Sequence, residues 1–434
     1  MDLHVQISFF TRDDRYSVPS HPISISKSST TEDLKNVLLG LLDKQSDCVS
    51  FDFLLENEFI EGTLDEFLAK KNLASEVIEI EFTVRQAAPE AISEINHDDF
   101  ISCVRRRGQF VLTSSYDGTV RVQIVGETAP IFTLTLDEQP KVVEWIKIGT
   151  SEAEDSMFIT GGFGQVARLW VWNVAKASVE CVAACRGHKE TILSLSSSTT
   201  IAGCNVNLFA SSSFDSTIKV WSASPEETDL SEETGGISHK RKSENKIPVR
   251  IPRLTLAGHR NMVSRVCWLA DVASTPKLIS CSWDQSIRLW DVGVGAGDQV
   301  VAPKCGEARC IMVGSPLHDL SASPNGILVA ASDNKVRRYD LRAKDALAQI
   351  GFQGHNSWLT AVAWAPHRPD QFITGSVDKV VKLWDARRVS APLYDLMGHR
   401  DMITSVDWAP PHDNKHYILS ASADGTAKIY HYPT

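Results

Sequence analysis

No run in this chain approaches the roughly 20 apolar residues that carry a helix across a bilayer, so a membrane-spanning helix is not expected. The first residues, Met1-Asp2-Leu3-His4-Val5, do not join a basic region to an apolar core, and a secretory leader is not expected either. Cysteines number nine, an odd count scattered from Cys48 to Cys310. Neither Cys181/Cys185 nor Cys305/Cys310 has a second Cys or His pair to complete a tetrahedral zinc site. Reduced, buried thiols in a cytosolic or nuclear protein are the expectation. A glycine-rich phosphate loop and an isolated pair of carboxylates are also missing, which removes phosphoryl transfer and general acid–base pairs from consideration. Basic residues are in deficit: 44 Lys and Arg stand against 54 Asp and Glu, a net charge of −10. Most of that deficit lies in residues 1–85, with 16 acids against 8 bases, so the remaining 349 residues carry only −2. An acidic N-terminal part is repelled by phosphate backbones and drawn to cationic surfaces, and the nearly neutral remainder lacks the charge for strong electrostatic binding.

What is present begins with alternation. Residues 4–10 alternate in character as a half-buried strand does, and a second alternating run ends at Ile23-Ser-Ile25. Ser29-Thr-Thr-Glu32 reads as a helix start, a hydroxyl cap with Glu three residues on. Leu34, Val37, Leu38, Leu41 and Leu42 follow at helical spacing. Val49–Leu55 predicts a strand, Leu64–Lys71 a short helix and Val77–Val84 a final strand. The order β-β-α-β-(short helix)-β over residues 1–85 resembles ubiquitin and its β-grasp relatives. No Gly-Gly closes this module, which therefore reads as a built-in domain and not a conjugating tag.

From residue 96 onward one pattern recurs seven times. Each copy has a turn Asp, usually a hydroxyl four residues before it and an aromatic six after it. The turn positions are Asp117, Gly164 in a degenerate copy, Asp215, Asp284, Asp333, Asp378 and Asp424. A unit of that length cannot bury its apolar faces alone, so the copies pack side by side. Three copies carry a full set: His188, Ser211, Asp215 and Trp221; His259, Ser280, Asp284 and Trp290; His355, Thr374, Asp378 and Trp384. The seventh has His399, Ser420 and Asp424, with Tyr430 in place of Trp. These positions resemble the WD-repeat family, in which such residues form a buried hydrogen-bonded chain that locks a blade. A Ser/His/Asp set also suits a nucleophilic triad, but one active site needs one copy and a fold needs many, so no enzyme is expected. Copies one, two and five depart from the pattern at Gln123, Gly164 and Val329 and are expected to rely on apolar packing.

The expected architecture is mainly β: an α+β ubiquitin-like domain (1–85), a linker and ring-closing strand (86–95), and a seven-bladed propeller (96–434). The last repeat ends too early to supply its own outer strand, and Ala88–Ile95 can fill that place. Residues 222–251, polar and two-signed in charge, read as a mobile loop inserted between blades, with Lys240-Arg241-Lys242 as a weak import signal. In WD propellers the residue three after the repeat His lies on the top face. Here these are Phe100, Thr191, Met262, Trp358 and Met402, and the four large ones are expected to form an exposed partner-binding patch. Arg105-Arg-Arg107, Arg337-Arg338 and Arg387-Arg388 read as solvated turn residues, with contact to RNA phosphates left open.

Together with Phe9-Phe-Thr-Arg12, Phe51-Asp-Phe-Leu54, Lys70-Lys-Asn-Leu-Ala-Ser-Glu76 and His97-Asp-Asp, the pairing of these two domains resembles the Ytm-type ribosome-biogenesis factors across essentially the whole chain. The resemblance implies a heterotrimer with a pescadillo-type protein and a block-of-proliferation-type WD protein on the pre-60S particle. It further implies a nucleolar and nucleoplasmic location, and an N-terminal domain gripped by the AAA+ ATPase midasin. In that family one acidic residue completes the coordination of midasin's Mg²⁺, and Glu76 matches it; no cofactor of the chain's own is implied. The alternative is a ubiquitin-pathway adaptor whose propeller selects substrates. A notchless-type factor, with its eight-bladed ring, is a closer rival that the count of seven disfavours.

Overall fold

A computed structural model describes residues 4–12, 15–16, 18–19, 21–42, 49–56, 58–71, 77–149, 154–198, 207–225, 247–269, 277–292, 306–324, 326–340, 350–389 and 391–433. The chain divides into two units.

In the N-terminal unit, β1 (His4–Phe10) buries Ile7 and Phe9 and turns Gln6 and Phe10 outward, the period of two that a one-sided sheet requires. It pairs antiparallel with β2 (Ile23–Ser26). Helix α1 (Thr31–Leu41) buries Leu34 and Leu38, one turn apart. Its cap lies one residue later than the sequence suggests: Thr30, not Ser29, caps the helix, and Asp33 returns the bond by accepting from the Thr30 N–H at 2.8 Å. After β3 (Phe51–Leu55), a two-residue strand β4 (Glu58–Phe59) appears that was too short to be legible. Helix α2 (Leu64–Lys71) opens with the same reciprocal device, between Thr63 and Glu66. The last strand, β5 (Val77–Val84), enters the middle of the sheet, parallel to β1 and antiparallel to β3. The order β2-β1-β5-β3-β4 is that of a β-grasp. Its core packs aromatic edges on faces, with Phe51 against Phe82 at 5.7 Å. Glu76 lies outside the described residues.

The second unit consists, among the described residues, of seven sheets, six of four strands and one of five. Their innermost strands are Ile101–Arg107, Pro140–Lys147, Ile192–Ser197, Val263–Leu269, Leu317–Ser323, Leu359–Trp364 and Ile403–Asp407. Each touches the next, and the seventh touches the first, so the ring is closed. Thr404 Oγ1 donates to the Ile101 carbonyl across that junction at 2.5 Å. The seventh blade takes three strands from the C-terminal end and its outermost, Glu90–Asn96, from just before the first blade. That strand lies antiparallel to Thr426–Tyr432, with Asn96 opposite Thr426 and Glu90 opposite His431. Ile95 is buried against Ala427 and Ile429.

Two expectations are corrected here. The segment 222–251 is ordered at both ends, although Lys240, Arg241 and Lys242 lie outside the described residues. Ser222 closes a strand of the third blade, and Val249–Arg250 returns to pair parallel with Ser178–Arg186 as a fifth strand of the second blade. Arg250 anchors it, donating to the carbonyls of Ser222 at 2.9 Å and Ser224 at 2.6 Å. Two of the three basic runs are not solvated turns: Arg337 and Arg338 stand on a strand, as do Arg105–Arg107. Arg105, Arg106 and Arg107 belong to the innermost strand of blade one, where the first two are buried. Arg337 pairs with Asp333 and Arg338 lies over the Trp364 ring at 5.9 Å.

Candidate interaction face

The repeated polar residues form the chain the pattern implies. In blade four, Trp290 Nε1 donates to Ser280 Oγ at 2.8 Å, Ser280 lies 2.8 Å from His259 Nε2, and His259 Nδ1 lies 2.8 Å from Asp284. An ionised carboxylate only accepts, so the ring proton belongs on Nδ1; the neutral ring then accepts from the hydroxyl, which accepts from the indole. Blades three and six repeat this through His188, Ser211, Asp215 and Trp221, and through His355, Thr374, Asp378 and Trp384. Blade seven joins His399 to Ser420 at 2.7 Å and to Asp424 at 3.2 Å, with Tyr430 buried beside them. A Cβ on Gly354 would lie 2.8 Å from the Trp384 ring, which explains the glycine before the repeat His there. Burial alone would raise the Asp284, Asp378 and Asp424 carboxyls, but the hydrogen bonds they accept outweigh it and hold each at about 2. The hydroxyls of Ser211, Ser280, Thr374 and Ser420 are fully buried, so each is spent within its own blade and out of a substrate's reach.

The departing copies differ from expectation in detail. Blade one keeps the dyad, with His97 2.9 Å from Thr113 and 3.1 Å from Asp117; only the indole is missing, and Gln123 donates instead to the Thr128 carbonyl. Blade two keeps the other half, Trp170 donating to Thr160 at 3.0 Å. Its turn Asp is replaced from outside: a Cβ on Gly164 would fall 1.2 Å from Glu138 Oε2, whose carboxylate pairs with Arg168 at 3.1 Å. Blade five, with Val329, relies on packing, as expected.

The face carrying the turn Asp residues exposes aromatic rings. Trp358 is 56% exposed, Phe100 is exposed, and Met402 and Thr191 are half-buried. Met262 is corrected: at 9% exposure it is tucked beneath its neighbours, its N–H tied to Asn261. Three rings were missed, namely Phe163, Phe214 at 53% and Trp283. They share one position, the residue before the turn Asp or its Gly164 equivalent, which is aromatic in the first four copies (Tyr116, Phe163, Phe214, Trp283). That recurrence was the available signal. The rings run in two arcs: Phe100–Tyr116–Phe163, with centroids 6.5 and 5.6 Å apart, and Trp283–His318–Trp358, at 5.6 and 6.2 Å.

Inside the arcs the channel along the ring axis holds a cavity of about 330 Å³. A β-bulge sits just after the first residue of every innermost strand. The extra residues (Ser102, Lys141, Leu193, Ser264, His318, Thr360 and Thr404) all line the cavity, one from each blade. Below them Arg105 pairs with Glu144 at 3.2 Å and Arg265 with Asp319 at 3.4 Å, while Asp407 accepts from the Arg106 N–H at 2.8 Å. Burial pushes the Glu144 and Asp407 carboxyls above their ordinary range. Among the described residues no group of His, Cys, Asp and Glu is arranged to hold a metal ion.

A profile of the NLE (NUC135) domain matches residues 5–68. The WD domain, G-beta repeat, matches residues 90–122, 179–222, 250–291, 347–385 and 390–431, which carry the three inner strands of blades one, three, four, six and seven. The two blades it passes over are those lacking a repeat His. Over 98% of its length the chain is 34% identical to the ribosome biogenesis protein WDR12 homolog of Drosophila mojavensis, covering 95% of that protein. It is 33% identical to the homolog of the same name from Ixodes scapularis, with 98% of each chain covered. The homolog from Drosophila erecta is 35% identical, with 98% and 95% covered.

Proposed function

The chain belongs to the family of the WDR12 ribosome biogenesis proteins, and from that premise we propose that it is a non-enzymatic scaffold of large-subunit (pre-60S) assembly and rRNA maturation, working in the nucleolus and nucleoplasm. The propeller binds a block-of-proliferation-type WD propeller within a trimer that includes a pescadillo-type protein. The N-terminal domain is held by midasin, with Glu76 supplying one carboxylate oxygen to that partner's Mg²⁺, a directional bond able to bear load. The observation that carries this reading is the division of labour in the propeller. The Ser, His and Asp groups of the repeats are consumed inside the blades, while the large aromatic side chains face outward. Such a surface suits partners and not substrates.

Affinity purification of the whole chain with mass spectrometry tests it. Wild type should bring down pre-60S proteins, both trimer partners and midasin. Glu76→Ala should lose midasin and keep the rest, and EDTA should release midasin from wild type. Proteasome or ligase subunits in place of ribosomal precursors would overturn the reading in favour of a ubiquitin-pathway adaptor. Midasin retained by Glu76→Ala would remove the metal contact alone.

A further inference from the structure

The cavity at the channel mouth and the rings around it belong to one surface, and its charge says what it accepts. Three cationic side chains, Arg105, Lys141 and Arg265, line it against a single carboxylate, Asp319. Asp319 is already divided: one oxygen lies 3.4 Å from Arg265 Nε and the other accepts from the Val362 N–H at 2.9 Å. Glu144 and Asp407 lie deeper, on the strand positions below the lining, and answer Arg105 and the Arg106 backbone. One polar atom of the lining, Thr360 Oγ1, is buried without a hydrogen-bond partner among the described residues. Lys141 Nζ is held over the Tyr116 ring at 5.5 Å, at the lip.

We propose that this mouth is a receptor for an acidic side chain of the protein partner, a Glu or Asp flanked by apolar residues, its carboxylate in the cavity and its neighbours on the aromatic rings. The inference rests on the partner-binding reading of this face and adds the chemistry of what is bound. Arg105 and Arg265 already have carboxylate partners, so a cationic side chain entering here meets the Lys141 ammonium, which has no ion pair among the described residues, and like charges repel in a partly dry site. A backbone carbonyl accepts from the Thr360 hydroxyl but leaves the Lys141 ammonium without a counter-charge. A carboxylate does both, through charge-assisted hydrogen bonds. An RNA strand fits less well, because its phosphates need a basic track and the residues after 85 carry −2 overall.

The test uses the full chain. Short synthetic peptides with a Glu between two leucines are immobilised beside matched peptides carrying Gln or Lys in its place, and probed with the labelled protein. Retention on the Glu set should exceed the other two about tenfold, equivalent to about 1.4 kcal/mol. Lys141→Glu and Trp358→Ala should each abolish that preference with the melting temperature unchanged; Lys141→Gln, a milder change, should weaken it. Equal retention on the three sets, or none on any, overturns the proposal. Affinity purification of the same variants separates this failure from that of the face itself. Loss of ribosomal precursors from Trp358→Ala but not from Lys141→Glu leaves the face and discards the carboxylate, whereas retention by Trp358→Ala discards the face.

Discussion

At Ser280 one oxygen serves two neighbours, the Trp290 indole and the His259 ring, both at 2.8 Å. Ser280→Ala orphans both inside the protein, at about 1–3 kcal/mol each, so urea unfolding should show a loss on the order of 3 kcal/mol. A loss under about 1 kcal/mol would mean that the chain of bonds does not stabilise the blade. The same networks set a dependence on pH. His97 and His399 are held below the ordinary imidazole value by burial, and so are neutral in the fold. Their contribution is complete above the unfolded value of about 6.5 and erodes as pH falls below it. Asp284, Asp378 and Asp424, at about 2 in the fold, contribute fully above the unfolded value of about 3.9 and lose that contribution on the way down to their folded value. Thermal melts should therefore be flat above neutrality, decline gently below about pH 6.5 and fall steeply below about pH 4; a maximum in acid would contradict the assignment. These residues were legible because a rare combination recurs at fixed spacing. Met262 was misread because burial of a rim residue depends on what the neighbouring blades place beside it. The Thr113–His97–Asp117 set is less legible because Gln123 stands where the indole closes the pattern in other blades, although the other three partners remain.

Among the elements, the outer strand of blade seven was legible by subtraction: the last repeat is one strand short, and Ala88–Ile95 stands just before the first. Truncation after Asp424 removes Thr426–Tyr432, the strand between His416–Ser422 and Glu90–Asn96. The truncated chain should elute as aggregate on size exclusion, since both freed edges are unpaired; a monodisperse product would show that the ring tolerates an open blade. The bulges were not legible. A register shift has no residue signature, and the seven extra residues, from serine to histidine, share position and not chemistry. The return of Val249–Arg250 to the second blade was hidden for a related reason, because two residues paired in parallel leave too short an alternation to detect, and the buried Arg250 disguises the inward face.

For the molecule as a whole, charge constrains binding more than composition suggests. The net negative charge is concentrated in residues 1–85, and Arg105 and Arg106 are buried in the propeller. The purified chain should therefore not shift a short single-stranded RNA at physiological salt. A shift whose salt dependence corresponds to more than about two released counterions would contradict this. The two-domain plan and the seven repeats were legible throughout; the cavity was not, because it is made by seven strands meeting from far apart in the chain. That separation has a consequence for how the protein is made. Position 96 must find position 426 before the last blade exists. During translation Glu90–Asn96 has no partner until six blades' worth of chain has followed it, and contacts so distant form slowly. Closure of the ring therefore waits until Thr426–Tyr432 has left the ribosome and found Glu90–Asn96.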